Sequence, residues 1–186
     1  MSTNNPIVSL DNFHYVKVDK NTSEEYVTEK MERIEGVISA GFSINTVEGE
    51  LYTDGARNVY SSANTSVDLT IDIASVPADI LAEMLGRDYD EETGETKAKT
   101  TDVQPEISVA FRAVKHNGDS VYYRFPVAIA QITDSNIETR GSDINFQTEN
   151  LVINCNPRRF DNVLYIRKES SEELEDFFDA ENLDNI

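Results

Sequence analysis

Apolar and polar residues alternate along most of this chain with the two-residue period of half-buried strands. Across residues 66–73, Val67, Leu69, Ile71 and Ile73 face one way, and Ser66, Asp68, Thr70 and Asp72 the other. Residues 37–46 repeat the pattern, with Ile38, Ala40, Phe42 and Ile44 on one face. Residues 106–130 read as a hairpin. Ile107, Val109, Phe111 and Ala113 alternate, a turn occupies residues 115–119, and Val121, Tyr123, Phe125, Val127 and Ile129 run back. Asn117 and Gly118 form the dipeptide that tolerates positive φ at both centres of a type I′ turn. Pro126 has no ladder donor, so the returning strand is expected at a sheet edge or with a bulge there. A further pair of strands is expected over residues 130–137 and 144–155. Parity shifts between Ile144/Phe146 and Leu151/Ile153, which implies a bulge.

One internal helix stands out. Pro77 suits a first helical position, and Ile80, Leu81, Met84 and Leu85 form an apolar stripe expected to face the core. Gly86 reads as the residue that closes the helix. Residues 87–101 are polar and acidic and read as a loop. Near the C-terminus, Ser170 followed by Glu173 looks like a capping box, and Leu174, Phe177 and Phe178 share one helical face. This acidic extension, residues 161–186, reads as a helix or as a loose tail; an ordered, docked segment is the expectation, with those three side chains as its anchors. The fold class is therefore mainly β: a sandwich- or barrel-like domain over residues 1–160, one flanking α-helix, and the acidic extension.

Charge narrows the function. The chain of 186 residues carries a formal net charge of −19, with 35 Asp and Glu against 16 Lys and Arg. Binding to nucleic acid through phosphates needs clustered cations, so this balance argues against a nucleic-acid-binding domain. The plainest reading of such charge is solubility. No apolar run is long enough for a membrane span, and the first ten residues do not resemble a secretory signal. Cys155 is the only cysteine, which excludes an internal disulfide and fits assembly in a reducing cytoplasm.

Candidate chemistry is sparse. His14 falls in a strand and His116 in a turn, and neither has a nucleophile at a recognisable spacing. Nucleophile elbow, phosphate-binding loop, glycine fingerprint and zinc spacing are all missing. Asp88, Asp90 and Glu92 alternate before Gly94 as in the start of a calcium loop. The glycine comes one place late, however, and Lys99 stands where a bidentate Glu belongs, so a solvated acidic loop is the better reading. Paired carboxylates for glycoside hydrolysis are invisible in a sequence, but the chain has no Trp for a sugar platform. The expectation is a protein that is not an enzyme, with no catalytic residues, no metal site and no cofactor.

Five segments in order carry a family resemblance. They are Asn12-Phe13-His14-Tyr15-Val16-Lys17-Val18; Glu50-Leu51-Tyr52-Thr53-Asp54-Gly55; the passage from Ile73-Ala74-Ser75-Val76-Pro77 to Leu85-Gly86; Pro105-Glu106 through Phe111-Arg112-Ala113 with the Asn117-Gly118 turn; and Glu138-Thr139-Arg140-Gly141-Ser142-Asp143 with Phe146-Gln147-Thr148. Together they resemble the major tail protein family of long-tailed bacteriophages of Gram-positive bacteria, over roughly residues 10–155. Arg140 stands where the family's signature has lysine, and the chain beyond Phe160 finds no counterpart.

The resemblance implies a tail tube protein: a virion structural subunit, assembled in the host cytoplasm, whose hexameric rings stack into a hollow tube for DNA ejection. Its partners would be further copies of itself, with tape measure, tail terminator and distal tail proteins at the ends. Genomic DNA would pass without specific binding, and an acidic wall would repel it. A ring interface is heterologous, and stacking needs a second contact along the axis. Residues 52–65, expected as a long connection between strands, are the candidate, through Tyr52, Asp54, Gly55, Arg57, Val59 and Tyr60. The alternative is a baseplate or tail-tip β-sandwich module that contacts the host surface.

Overall fold

The computed structural model describes residues 5–53, 56–132 and 148–184. The chain is mainly β and antiparallel. In order it forms β1 (Ile7–Asn21), β2 (Glu25–Thr28), β3 (Glu32–Ile34), β4 (Val37–Thr53), β5 (Ala56–Ile73), helix α1 (Ala78–Leu85), β6 (Asp88–Asp90), β7 (Glu95–Lys97), β8 (Ile107–Lys115), β9 (Ser120–Ile132), β10 (Glu149–Asn156) and β11 (Ile166–Ser170). A single 3-10 turn (Glu175–Phe178) and β12 (Glu181–Asp184) complete it. The main sheet runs β12-β2-β1-β8-β9-β10-β5-β4, with β3 added to β1 and β11 to β9; β6 and β7 form a separate hairpin.

The alternating residues read from the sequence build the core. Val67, Leu69, Ile71 and Ile73 of β5 face Leu151, Ile153 and Cys155 of β10 and Val109 and Phe111 of β8 in one apolar cluster. Phe13 and Tyr15 of β1 and Met84 of α1 close it. Met84 and Leu85 are buried, while Ile80 and Leu81 are partly buried against the same cluster. Pro77 caps the helix from just outside its first turn rather than opening it. Gly86 closes it at φ 65°, in the left-handed region where a side chain is strained. The carbonyl oxygen of Val103 lies only 2.1 Å from where a β-carbon of residue 86 would stand, so backbone packing also demands glycine.

Four expectations are corrected. The 115–119 turn is not type I′. Asn117 is not at positive φ; Gly118 alone is, at 90°, and its N–H donates to the Lys115 carbonyl at 2.9 Å. This is the three-residue loop built on a type I turn with a left-handed glycine. Second, the alternation expected through Val127 and Ile129 breaks at Pro126, which sits in a central strand with a bulge, one of its two expected settings. The expected bulge is there, because Ile107 pairs with Ala128 but Val109 with Phe125. Its consequence is a change of parity: Val121, Tyr123 and Phe125 face the main core, and beyond Pro126 that place passes to Ala128 and Ala130, not to Val127 and Ile129. The bulge also marks where β9 changes neighbours, from β11 at residues 120–124 to β10 at residues 127–132.

Third, residues 87–101 are not a plain loop: β6 and β7 pair within them. Fourth, the C-terminal extension is mostly strand and turn. Ser170 ends β11, where its Oγ accepts the Glu172 N–H at 3.1 Å, so no capping box with Glu173 forms. Leu174, Phe177 and Phe178 nevertheless dock. Phe178 is buried with Val16, Met31, Ala110 and Tyr122 on the outer face of β1, β8 and β9, and Leu174 and Phe177 pack beside it. The second strand of the last expected pair is β10, and the first is the end of β9; residues 133–147, with most of the final signature segment and the expected Ile144/Phe146 bulge, lie outside the described residues.

Candidate assembly surface

Among the described residues the β4–β5 hairpin is the longest strand pair. β5 pairs with β10 only from Val67 to Ile73, and among the described residues no third strand joins β4 and β5 over residues 46–53 and 56–66. Along its other edge β4 has no strand partner among the described residues. Residues 37–47 contain no charged side chain and no proline. Edge strands are normally protected by charge, proline, shortness or cover, and this one has only the bulges at Val37/Ser39 and Asn45/Thr46.

The two faces of the hairpin base differ. On the core-side face, Ile38, Phe42 and Ile44 are 58%, 38% and 37% exposed. The sequence foresaw that they share a face but not that solvent reaches them. Phe42 rests at its inner end on Tyr123, Phe125 and Tyr165, with ring centroids 5.4, 5.7 and 6.3 Å away. The opposite face is a polar ladder. Asp68 accepts hydrogen bonds from the amides of Asn45 and Asn154, each at 2.8 Å. Asp72 accepts from the Ser39 hydroxyl at 2.7 Å and the Asn150 amide at 2.8 Å. The amides of Asn45 and Asn154 stabilise the Asp68 carboxylate and hold its pKa below the ordinary value. Ser43, Thr70 and Asn156 complete this face, and no Lys or Arg stands among these positions. Sequence reading missed the asparagines, because a strand asparagine shows no partner until neighbouring strands are known.

Of the stacking candidates, Tyr52, Arg57, Val59 and Tyr60 fall on the two strands of the ribbon, where Tyr52 pairs with Arg57 and Glu50 with Tyr60. The expected long connection is thus almost wholly strand. Asp54 and Gly55, at its tip, lie outside the described residues.

No group of three or more His, Cys, Asp or Glu among the described residues could hold a metal ion. Asp90 instead accepts the N–H groups of Glu92 and Thr93 at 2.9 and 3.2 Å, and Lys99 pairs with Asp88, so the acidic loop is organised by its own contacts. His14 is half-buried, stacked on Phe178 at 4.0 Å, with Nδ1 2.8 Å from the Asn12 carbonyl oxygen. Burial lowers its pKa below the ordinary histidine value. His116 is exposed in its turn. Burial pushes the Cys155 thiol up to about 12, which makes it unreactive in the folded chain. No described helix is long and apolar enough to cross a membrane.

The basic residues missed by the sequence reading are Arg124 and Arg158, both buried beneath the C-terminal segment. Arg158 pairs with Asp161 at 2.7 Å and with Glu181 at 3.1 Å, and lies over the Tyr26 ring at 4.8 Å. Arg124 donates to the carbonyls of Phe177 and Asp179 and stands 3.5 Å from Glu181. These contacts hold the extension in place. No protein-family model matches the chain, and no curated protein sequence matches it either.

Proposed function

We propose that the protein is a structural subunit that polymerises, without catalysis, into stacked hexameric rings forming a bacteriophage tail tube. The observation that carries the reading is the β4 edge, which over residues 37–47 has no charge, no proline and no strand partner among the described residues, and is bordered by exposed apolar side chains. In a monomer such an edge invites uncontrolled pairing; in a closed ring each edge is completed by the neighbouring copy. The ladder around Asp68 and Asp72 supplies the channel wall in this reading. The amides of Asn45 and Asn154 hold the Asp68 carboxylate below its ordinary pKa, and no Lys or Arg stands among the described positions of this face. Repulsion from such a wall reaches about 8 Å at physiological ionic strength.

Electron microscopy of the purified protein tests this directly. Tubes or rings are expected, whereas a protein that remains monomeric at high concentration and in assembled virions rejects it. Replacing Asp68 and Asp72 by lysine addresses the wall separately. Tubes should still form, and DNA ejection from reconstituted particles should slow; unchanged ejection removes the wall assignment.

A further inference from the structure

Residues 171–184 form a strap against the outer face of β1, β8 and β9. Half of these residues are Asp or Glu and none is Lys or Arg, and Phe178 is the only one of them that is buried. The strap is held as an extended ligand is held. β12 adds to β2, with Glu181 opposite Thr28 and Leu183 opposite Tyr26. The Met31 N–H donates to the Phe178 carbonyl at 3.0 Å, and the Leu174 N–H to the Tyr122 hydroxyl at 3.0 Å. Arg124 donates to the Phe177 and Asp179 carbonyls. The Phe178 ring fills an apolar pocket of Val16, Met31, Ala110 and Tyr122. Main-chain pairing for affinity, with a side-chain pocket for specificity, is how sheet edges capture extended peptides.

The face beneath the strap is cationic, in a chain of net charge −19. Arg112 pairs with Glu173, Lys30 with Asp179 at 3.2 Å, and Arg124 and Arg158 share Glu181. The strap does not exhaust this charge. Arg33 and Lys168 make no ion pair with a described residue, and the buried Nε of Arg124 has no hydrogen-bond acceptor among them. Two cavities border the strap where these groups stand. One, of about 320 Å³, is lined by His14, Lys30 and Arg33 against Glu173, Leu174 and Phe178. The other, of about 220 Å³, is lined by Arg124 and Lys168 against Phe177 and Ala180. Glu175 and Asp176 line these cavities too, without pairing with either free cation. A buried donor without an acceptor costs stability, so the strap fills this site imperfectly.

We propose that this face is a docking site for an extended acidic segment with adjacent aromatics from a partner protein, and that the strap is its built-in competitor. Exchange of straps between copies would reproduce the same contacts and leave Arg33, Lys168 and the Arg124 Nε as they are. A partner segment gains over the strap by bringing a carboxylate to those groups. Complementary charge speeds such an encounter and excludes basic sequences. Because the strap is tethered beside the site, it excludes weaker segments and yields only to a stronger one. Such a site does not depend on whether the chain polymerises.

Peptides added to the full chain test the site. A fluorescein-labelled peptide of residues 172–184 should bind the Phe178→Ala chain about tenfold more tightly than the wild type, because weakening the anchor frees the site from its tethered competitor. Ala180 borders the cavity that holds Lys168. The same peptide carrying Ala180→Glu should therefore bind about threefold more tightly still, and Lys168→Ala in the chain should abolish that gain. Excess Ala180→Glu peptide on the wild-type chain should speed hydrogen exchange in the chain's residues 181–184 and leave residues 25–28 protected, as one strand replaces another. That readout decides the matter if Phe178→Ala fails to fold. Equal affinity of the two peptides would overturn the partner and make a second copy of the chain the fitting occupant. A scrambled peptide that binds as well, or an oligodeoxynucleotide that binds while the peptides do not, overturns the docking site. So does peptide binding that leaves exchange in residues 181–184 unchanged.

Discussion

The β1–β8–β9 region and the β4–β5 hairpin are built from the same alternating pattern and end in opposite conditions. In the first, both faces are covered. Phe13, Tyr15, Phe111, Tyr123 and Phe125 fill the inner side, and Phe178 with Val16, Ala110 and Tyr122 fills the outer side. Part of its edge is filled as well, where β12 pairs with residues 25–28 of β2. In the second, one face is a polar ladder, the other exposes Ile38, Phe42 and Ile44, and one edge is bare. Alternation alone therefore does not decide whether a strand is finished within its own chain. What decides it is whether another segment of that chain reaches it. The C-terminal segment reaches β2 and the outer face of β1; none of the described residues reaches the free edge of β4.

Breaking the closed region should show the largest effects on stability. Glu181→Ala removes the carboxylate that Arg124 and Arg158 share, and leaving a buried charge uncompensated costs about 3–5 kcal/mol. Urea unfolding of the monomer should show that loss, together with faster hydrogen exchange in residues 25–28. A change below one-third of it would mean the cluster is only loosely coupled to folding. Phe178→Ala should cost about 3 kcal/mol, as buried aromatic truncations do. Phe42→Ala, on the open hairpin, should cost less than half as much, about 1 kcal/mol, because solvent already reaches the ring. If the two truncations proved equal in the monomer, the division between a finished and an unfinished region would fail.

Acid supplies the mildest probe. The Arg158 guanidinium holds the Asp161 carboxyl below its ordinary value. A carboxylate whose folded pKa is depressed contributes stability above its unfolded value, about 3.9, and loses it as the pH falls through the folded value. The anchorage of the C-terminal segment should therefore be constant from neutral pH down to about 5 and weaken only below about 4. Intrinsic fluorescence of the tyrosines beside it, read against acid, checks this. The Arg158→Gln variant should lose that acid-dependent step.

Much of the architecture was legible in residue order. The strands at residues 66–73 and 107–113, the helix ending at Gly86, and the bulge at Pro126 each rest on a local rule: side-chain period, a left-handed closing residue, a missing donor. The errors were also local in origin. Asn117-Gly118 admits two loop types, and strand register chose between them. The capping-box pattern at Ser170 was outweighed by the pairing of β11 with β9, since tertiary strand pairing overrides weak helix signals. Of the candidate site, Tyr52, Arg57 and Tyr60 were named for position, but the ribbon that carries them was mistaken for a connection.

By itself the order of residues determined which side chains share a face, where the chain turns, and that the surface is strongly acidic, because these follow from backbone geometry and charge alone. Only the tertiary structure decided which faces are covered. It placed Phe178 in a second core and left Ile38 and Phe42 open, and it gave Asp68 and Asp72 their amide partners and Arg124 and Arg158 their carboxylate. Burial and pairing depend on contacts between segments far apart in the chain, and no local pattern encodes which distant segment arrives.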